Sequence, residues 1–282
     1  MAKIHYTELF YSIQGEGRYM GVPSVFLRTF GCNFRCAGFG MPAGEKTQEV
    51  QFIDPAQYRI FQELPLVSTG CDSYSSVYPQ FKKFANKIET NELAEKIVNL
   101  LPNQEWDAEH LVITGGEPLL VGWQKAYIDL LSSEKMASLE ELTFETNGTQ
   151  ALTPELKAYL RKWGTVDRPF GHITFSVSAK LSCSGEARAD AIKPEIVCEY
   201  EDYGFTYLKF VVSTEEDAEE ALEALEIYRA NGFSGPCYLM PVGGVESVYT
   251  LNNRRVAELA LKHGLRYSDR LQVPLFKNAW ST

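Results

Sequence analysis

From residue 91 onward, short apolar runs alternate with stretches of helical periodicity. His110 to Thr114 (HLVIT) is a continuous apolar run of the length expected for a strand buried on both faces. Similar runs occur at Ser24 to Phe30 (SVFLRTF), Leu142 to Glu145, His172 to Ser178, Thr206 to Val212 (TYLKFVV) and Cys237 to Met240, with a last strand expected near Arg270 to Val273. Helices are expected over 91–101, capped by Thr90 or Asn91, and over 122–133, 153–163, 214–231 and 252–263. Strands alternating with helices predict a parallel sheet. Six such strands joined by right-handed crossovers make an α/β fold of the open kind, a partial (β/α)6 barrel rather than a closed eight-fold one. No internal repeat or domain boundary interrupts the pattern, so residues 1–282 are expected to form a single domain.

Two stretches fall outside this alternation. Residues 3–20 contain Gln14-Gly15-Glu16-Gly17, a polar turn between apolar stretches, and its glycines let a ligand approach the backbone. Residues 37–70, with Gly38, Gly40, Pro42, Gly44, Pro55 and Pro65, predict a long irregular loop with one short helix at most. Loops of that length are normally reserved for function or disorder.

Composition narrows the function. A hydrophobic content of 45% suits a globular core, and no apolar run is long enough to span a membrane. The net charge of −10 argues against a broad phosphate-backbone surface, so no nucleic-acid partner is expected. Much of the acid lies in Glu215 to Glu226, the solvated face of a helix. The start, MAKIHYTELF, lacks the apolar region of a signal peptide, which predicts a cytoplasmic protein. In that reducing compartment six cysteines are expected to bind metal, catalyse or lie buried rather than pair.

The polar motifs follow the strands. Gly31-Cys32-Asn33-Phe34-Arg35-Cys36 comes after the first, Gly115-Gly116-Glu117-Pro118 after the second, and Thr146-Asn147-Gly148-Thr149 after the third. Ala179-Lys180 follows the fourth and Pro241-Val242-Gly243-Gly244 the sixth, while polar Lys209 lies within the fifth. Parallel folds place their ligands at the carboxyl ends of the strands. Arg28, on the first strand, is either a surface or salt-bridged arginine or a carboxylate clamp. Cys32 and Cys36 alone are a modest metal signal. The spacing Cys-x3-Cys-x2-Cys would mark a radical S-adenosylmethionine (SAM) enzyme, but Phe39 holds the third place. Cys71-Asp72-Ser73 has the form of the missing third-cysteine segment, displaced by residues 37–70. Three thiolates would leave one iron of a four-iron cluster open to a small molecule.

In this order, QGEG at 14–17, GVPSVFLR at 21–28, GCN at 31–33, CDS at 71–73, ITGGEP at 113–118, ETNGT at 145–149, SVSAK at 176–180 and LKFVV at 208–212 cover nearly the whole chain. The chain thereby resembles the 7-carboxy-7-deazaguanine synthase (QueE-like) family of radical SAM enzymes. The resemblance implies that Cys32, Cys36 and Cys71 hold a [4Fe-4S] cluster, with 37–70 an insertion in the cluster loop. It implies further that Gly70, Cys71, Asp72, Gly116, Ser178, Ala179, Lys180, Met240, Pro241, Val242 and Gly243 border S-adenosyl-L-methionine. Ser73 would ligate Mg²⁺, standing where the family has threonine. Ile13, Gln14, Gly15, Arg28 and Thr114 would hold the pterin substrate, Arg28 through its carboxylate.

The implied reaction cleaves SAM to a 5′-deoxyadenosyl radical and contracts the ring of 6-carboxy-5,6,7,8-tetrahydropterin, with loss of ammonia, to 7-carboxy-7-deazaguanine for queuosine-type deazapurines. A homodimer and an electron donor such as flavodoxin or ferredoxin are implied as partners. The family's glutamine and histidine on the last strand have no evident match, since Leu271 to Lys277 (LQVPLFK) offers Pro274 and Phe276. That departure keeps open a radical SAM enzyme of another substrate. A zinc-stabilised binding module is the third reading, but no paired fourth ligand is evident. Cys183, Cys198 and Cys237 match nothing in the family pattern and are expected to be plain thiols.

Overall fold

A computed structural model of the chain describes residues 2–163 and 172–282. Among the described residues nine strands form one sheet: β1 (Lys3–Ile13), β2 (Pro23–Thr29), β3 (Asn86–Glu89), β4 (His110–Gly115), β5 (Glu141–Thr146), β6 (His172–Val177), β7 (Phe205–Val212), β8 (Cys237–Pro241) and β9 (Arg266–Tyr267). Their spatial order is β3-β1-β2-β4-β5-β6-β7-β8-β9. From β2 to β9 every neighbour is parallel, whereas β1 runs antiparallel to both β2 and β3.

The helices are α1 (Thr90–Val98), α2 (Val121–Leu131), α3 (Pro154–Lys162), α4 (Arg188–Ala191), α5 (Pro194–Tyr200), α6 (Glu215–Ala230), α7 (Glu246–His263) and α8 (Gln272–Phe276). They cover the sheet with apolar stripes. In α6 the stripe is Ala218, Ala221, Ala224 and Tyr228, all fully buried, and the acids expected on a solvated face alternate with it. Thr214 and Asp217 close a capping box at its start, two reciprocal bonds that satisfy free amides. Leu27, Ile113, Phe144, Phe175 and Phe210 join these stripes in one continuous core. No helix among the described residues is long and apolar enough to cross a membrane.

The structure departs from expectation mainly at the ends. Residues 3–13, taken only as an apolar stretch, form the long strand β1; its alternation is broken by Thr7 and Glu8, both buried. Helix α1 starts at Thr90 after Glu89, and no side chain caps it. Helix α7 starts six residues early, because Tyr249 buries its ring in that first stretch. The expected strand at 270–273 does not form. The strand is the short β9, and the chain then turns into α8, where Pro274 falls in the first helical turn and its missing N–H costs nothing.

Residues 37–70 contain three 3-10 turns, at Glu49–Phe52, Pro55–Gln57 and Phe61–Glu63, and no α-helix. They nevertheless have a core of their own. Val50, Ile53, Phe61, Leu64 and Val67 pack with Tyr74 and Phe81, and Trp280 from the chain's end joins them. Its indole Nε1 donates to Leu64 O at 2.7 Å, and its ring meets Phe61 edge-on at 4.7 Å. Phe81 is fully buried in this small core, so Phe81→Ala should cost it about 3–5 kcal/mol. Limited proteolysis should then cut between Glu45 and Leu66 much faster than in the parent. An unchanged cleavage rate would mean that something else holds the insertion.

Candidate functional site

The carboxyl ends of the parallel strands open onto one cavity, and Cys32, Cys36 and Cys71 all line it. Cys32 and Cys36 lie on the loop leaving β2, where Gly31 takes φ +112° and donates its N–H to Ser76 O at 2.7 Å. Phe34 N donates to the Cys32 sulfur at 3.4 Å. Cys36 adopts φ +51°, rare outside glycine. Phe34, Cys36 and Ala191 form a small apolar cluster against which Cys32, Phe39 and Cys71 pack. The insertion thus returns Cys71 to the other two thiols.

Burial pushes the Cys32 thiol up to about 11 and the Cys36 thiol to about 12. Cys71 is raised well above its ordinary value, first by burial and then by Cys36 and Asp72 beside it. Protonated thiols give up their protons to a metal, so loading this site releases protons. Among the described residues no three His, Cys, Asp or Glu side chains converge closely enough for a single metal ion. Cys32, Cys36 and Cys71 are free thiols around one cavity, a donor set of the kind that iron–sulfur clusters take.

Gly116, after β4, has no room for a side chain. A Cβ there would lie 2.4 Å from Gly31 O and 2.8 Å from the Cys32 Cβ, so this turn and the cysteine loop are in direct backbone contact. Glu117 ties the turns together: its buried carboxylate accepts from Asn147 N at 2.7 Å, Leu119 N at 2.8 Å and Thr146 Oγ1 at 2.8 Å. Asn147 donates in turn to Asn33 Oδ1 at 2.9 Å, inside the cysteine loop. Of the other residues expected near a cofactor, Gly70, Asp72, Ser178, Lys180, Met240, Val242 and Gly243 line the cavity. Ala179 packs into the main core and Pro241 is buried at the end of β8, so neither lines it.

Ile13, Gln14, Gly15, Arg28, Thr114 and Ser73 line the same cavity. Arg28 Nε donates to buried Glu8 at 2.7 Å, and Nη1 donates to Ser73 Oγ at 3.1 Å. It is therefore salt-bridged and cavity-facing at once. Deeper, a charge network escaped the sequence reading. Glu16 accepts from Lys209 at 2.5 Å, from Gln272 Nε2 at 2.9 Å and from Arg270 Nε at 3.3 Å. Burial would raise the Glu16 carboxyl, but Lys209 and Arg270 outweigh it and bring it down to about 2. Arg270 also donates to Asp72 and to Gly243 O, joining the chain's end to the residue after Cys71.

Pro274 and Phe276, expected on a last strand beside the site, ride on α8 outside the cavity. Gln272 is the residue of that run that lines it, and among the described residues its buried Oε1 has no hydrogen-bond partner. Cys183, Cys198 and Cys237 lie away from the cavity. The signals that could have found the network were single charges in apolar surroundings: Lys209 in β7 and Arg270 before α8.

No protein-family model matches the chain. It is 31% identical to a 7-carboxy-7-deazaguanine synthase of Halobacterium salinarum, over 98% of this chain and 91% of that protein. A 7-carboxy-7-deazaguanine synthase of Pyrobaculum aerophilum is 27% identical over 98% of this chain and 96% of its own. The fold is similar to the crystal structure of QueE from Escherichia coli, with a TM-score of 0.51 and 21% identity over 95% of this chain and 94% of that one. With a relative this similar across almost its entire length, the chain belongs to the 7-carboxy-7-deazaguanine synthase family.

Proposed function

We propose that the cavity at the strand ends is the active site of a radical SAM lyase that contracts 6-carboxy-5,6,7,8-tetrahydropterin to 7-carboxy-7-deazaguanine in deazapurine biosynthesis. The observation that carries this reading is the meeting of Cys32, Cys36 and Cys71 with Gln14, Arg28 and Thr114 around one cavity. On this reading the parallel strands form the partial (β/α)6 barrel of radical SAM enzymes, within a single domain of residues 1–282.

The three thiols would hold a [4Fe-4S] cluster, and the open iron would take SAM beside Gly116, Ser178, Lys180 and Met240. When bound, the pair supplies a carbon-centred radical that removes hydrogen from the substrate. The chain's own residues bind, orient and exclude water, and the cofactor carries the hard chemistry. Close backbone contact at Gly116 keeps the cysteine loop and the cofactor floor at a fixed separation. Gln14, held by its amide to Glu145 at 3.0 Å, and Gln272, whose buried Oε1 lies beside Gly15 with no partner among the described residues, are amides of the kind that pair with a pterin's donors and acceptors. Gln272 supplies an amide where the family has its glutamine, while 271–277 still offers no histidine. Ser73 Oγ, with waters, is a hard oxygen donor of the kind Mg²⁺ takes, provided that Arg28 Nη1 turns from Ser73 to the substrate carboxylate. A homodimer and a flavodoxin- or ferredoxin-type electron donor belong to the same proposal.

The direct test is anaerobic turnover with carboxytetrahydropterin, SAM and a reductant. Formation of 7-carboxy-7-deazaguanine together with 5′-deoxyadenosine is expected. Release of 5′-deoxyadenosine without that product would reassign the substrate.

Arg28→Lys keeps a cation opposite Glu8 but loses the guanidinium fork. The KM for the pterin should rise about tenfold or more, with SAM cleavage in the absence of substrate unchanged. An unchanged KM would leave Arg28 as the partner of Glu8 alone.

A further inference from the structure

Each half of the split cysteine motif is gripped by a carboxylate that belongs to neither half. On the first half, Glu186 Oε1 accepts the backbone N–H of both Arg35, at 2.8 Å, and Cys36, at 2.7 Å. The adjoining turn holds the next residues, since Gly38 N donates to Ser184 O at 2.9 Å. The fit there is tight: a Cβ on Gly38 would lie 2.6 Å from Gly185 N and 2.7 Å from Cys183 O. These bonds support Cys36 in a left-handed conformation that a cysteine does not favour unaided.

On the second half, Glu49 grips the two residues before Gly70 and Cys71. Its Oε1 accepts from Ser68 N at 3.0 Å. Its Oε2 accepts from Thr69 N at 2.9 Å, Thr69 Oγ1 at 2.6 Å and Ser68 Oγ at 3.0 Å. Burial would raise this carboxyl, yet the bonds from Thr69 and Ser68 prevail and hold it below the ordinary carboxylate range. Three further bonds draw the insertion's neck closed. Gly70 N donates to Phe39 O at 2.7 Å, Thr47 N donates to Ala37 O at 2.8 Å, and the Thr47 and Thr69 hydroxyls meet at 2.7 Å.

All of these bonds are between protein groups, and none needs iron or sulfide. We propose that Glu186 and Glu49 are positioning residues that preassemble the split motif, holding Cys36 and Cys71 in register before the cluster arrives. The neck would then be closed by the chain's own bonds before any cluster is bound. The proposal rests on the reading of the three thiols as cluster ligands, and its test separates the two.

The two carboxylates use their oxygens differently, which makes the test specific. Glu186 serves both amides with one oxygen, so Glu186→Gln keeps both bonds through its amide oxygen, and Glu186→Ala loses both. Glu49 uses both oxygens, so Glu49→Gln keeps only part of its set. Hydrogen exchange should be measured on the cluster-free full chain, with thermal unfolding as the check on the fold. Peptides over 35–36 in Glu186→Ala, and over 68–69 in Glu49→Ala, should exchange about tenfold faster than in the parent, each effect confined to its own half. Glu186→Gln should match the parent and Glu49→Gln should fall between.

Iron and sulfide content after anaerobic reconstitution should follow the same order, as should the visible absorbance of the cluster. If an alanine variant does not fold, the two glutamine variants decide by that same difference. Cluster-free parent peptides that exchange as fast as the alanine variants, or alanine variants that load as fully as the parent, would overturn the proposal. A parent that shows protected peptides but takes up no four-iron cluster would support the clamps and overturn the cluster reading.

Discussion

Parallel pairing from β2 to β9 puts the carboxyl ends of all these strands at one end of the sheet. The site follows from that constraint. The loops after β2, β4, β5, β6 and β8 must converge, and with them the cysteine loop, the Gly116 turn, Asn147, Lys180 and Gly243. Antiparallel β1 supplies Gln14, Gly15 and Glu16 from its trailing turn. The apolar core under these loops is continuous, so their relative positions are set by rigid elements rather than by the loops themselves.

Charge does the rest of the positioning. Lys209 and Arg270 are buried and Glu16 is largely so, which is unfavourable unless each is paired; each has an opposite charge in contact, with Asp72 at the more open end. Removing one member of such a network strands the others and typically costs about 3–5 kcal/mol. The network crosses the site from the turn after β1, through β7 and the segment before α8, to the residue after Cys71. The segment entering α8 and the cysteine loop are therefore parts of one electrostatic unit. Glu8 with Arg28 forms a second such unit, facing the same cavity.

The central strands and the placement of the motifs were legible because the apolar runs are short, rich in β-branched and aromatic residues, bounded by polar turns and alternate with helical stretches. The acidic run 215–226 was legible for the same kind of reason, a small-residue stripe alternating with charge. The strand at residues 3–13 was harder to see because Glu8 interrupts its alternation, and Glu8 is explained only by distant partners, Arg28 across the pair and Ser281, whose N–H it accepts at 2.7 Å. The run 271–277 mixes strand-favouring Val273 and Phe276 with Pro274, and the proline decides for a helical turn. The most consequential residues left no local trace. Glu186 lies 150 residues from the Cys36 amide that it holds, and nothing around either residue announces the other. Arg270 read as one more strand residue until the fold brought Glu16 and Asp72 to it.

The central claim is that a cluster motif divided by residues 37–70 is completed by Cys71. Cys183 is the natural rival by sequence, since it follows the Ser178-Ala179-Lys180 turn, but its thiol lies outside the cavity and donates to Val211 O at 3.4 Å. Cys71→Ala and Cys183→Ala should be reconstituted anaerobically and compared by iron content, visible absorbance and turnover. The account predicts loss of the four-iron cluster and of activity in Cys71→Ala alone. A fully loaded, active Cys71→Ala protein would contradict it.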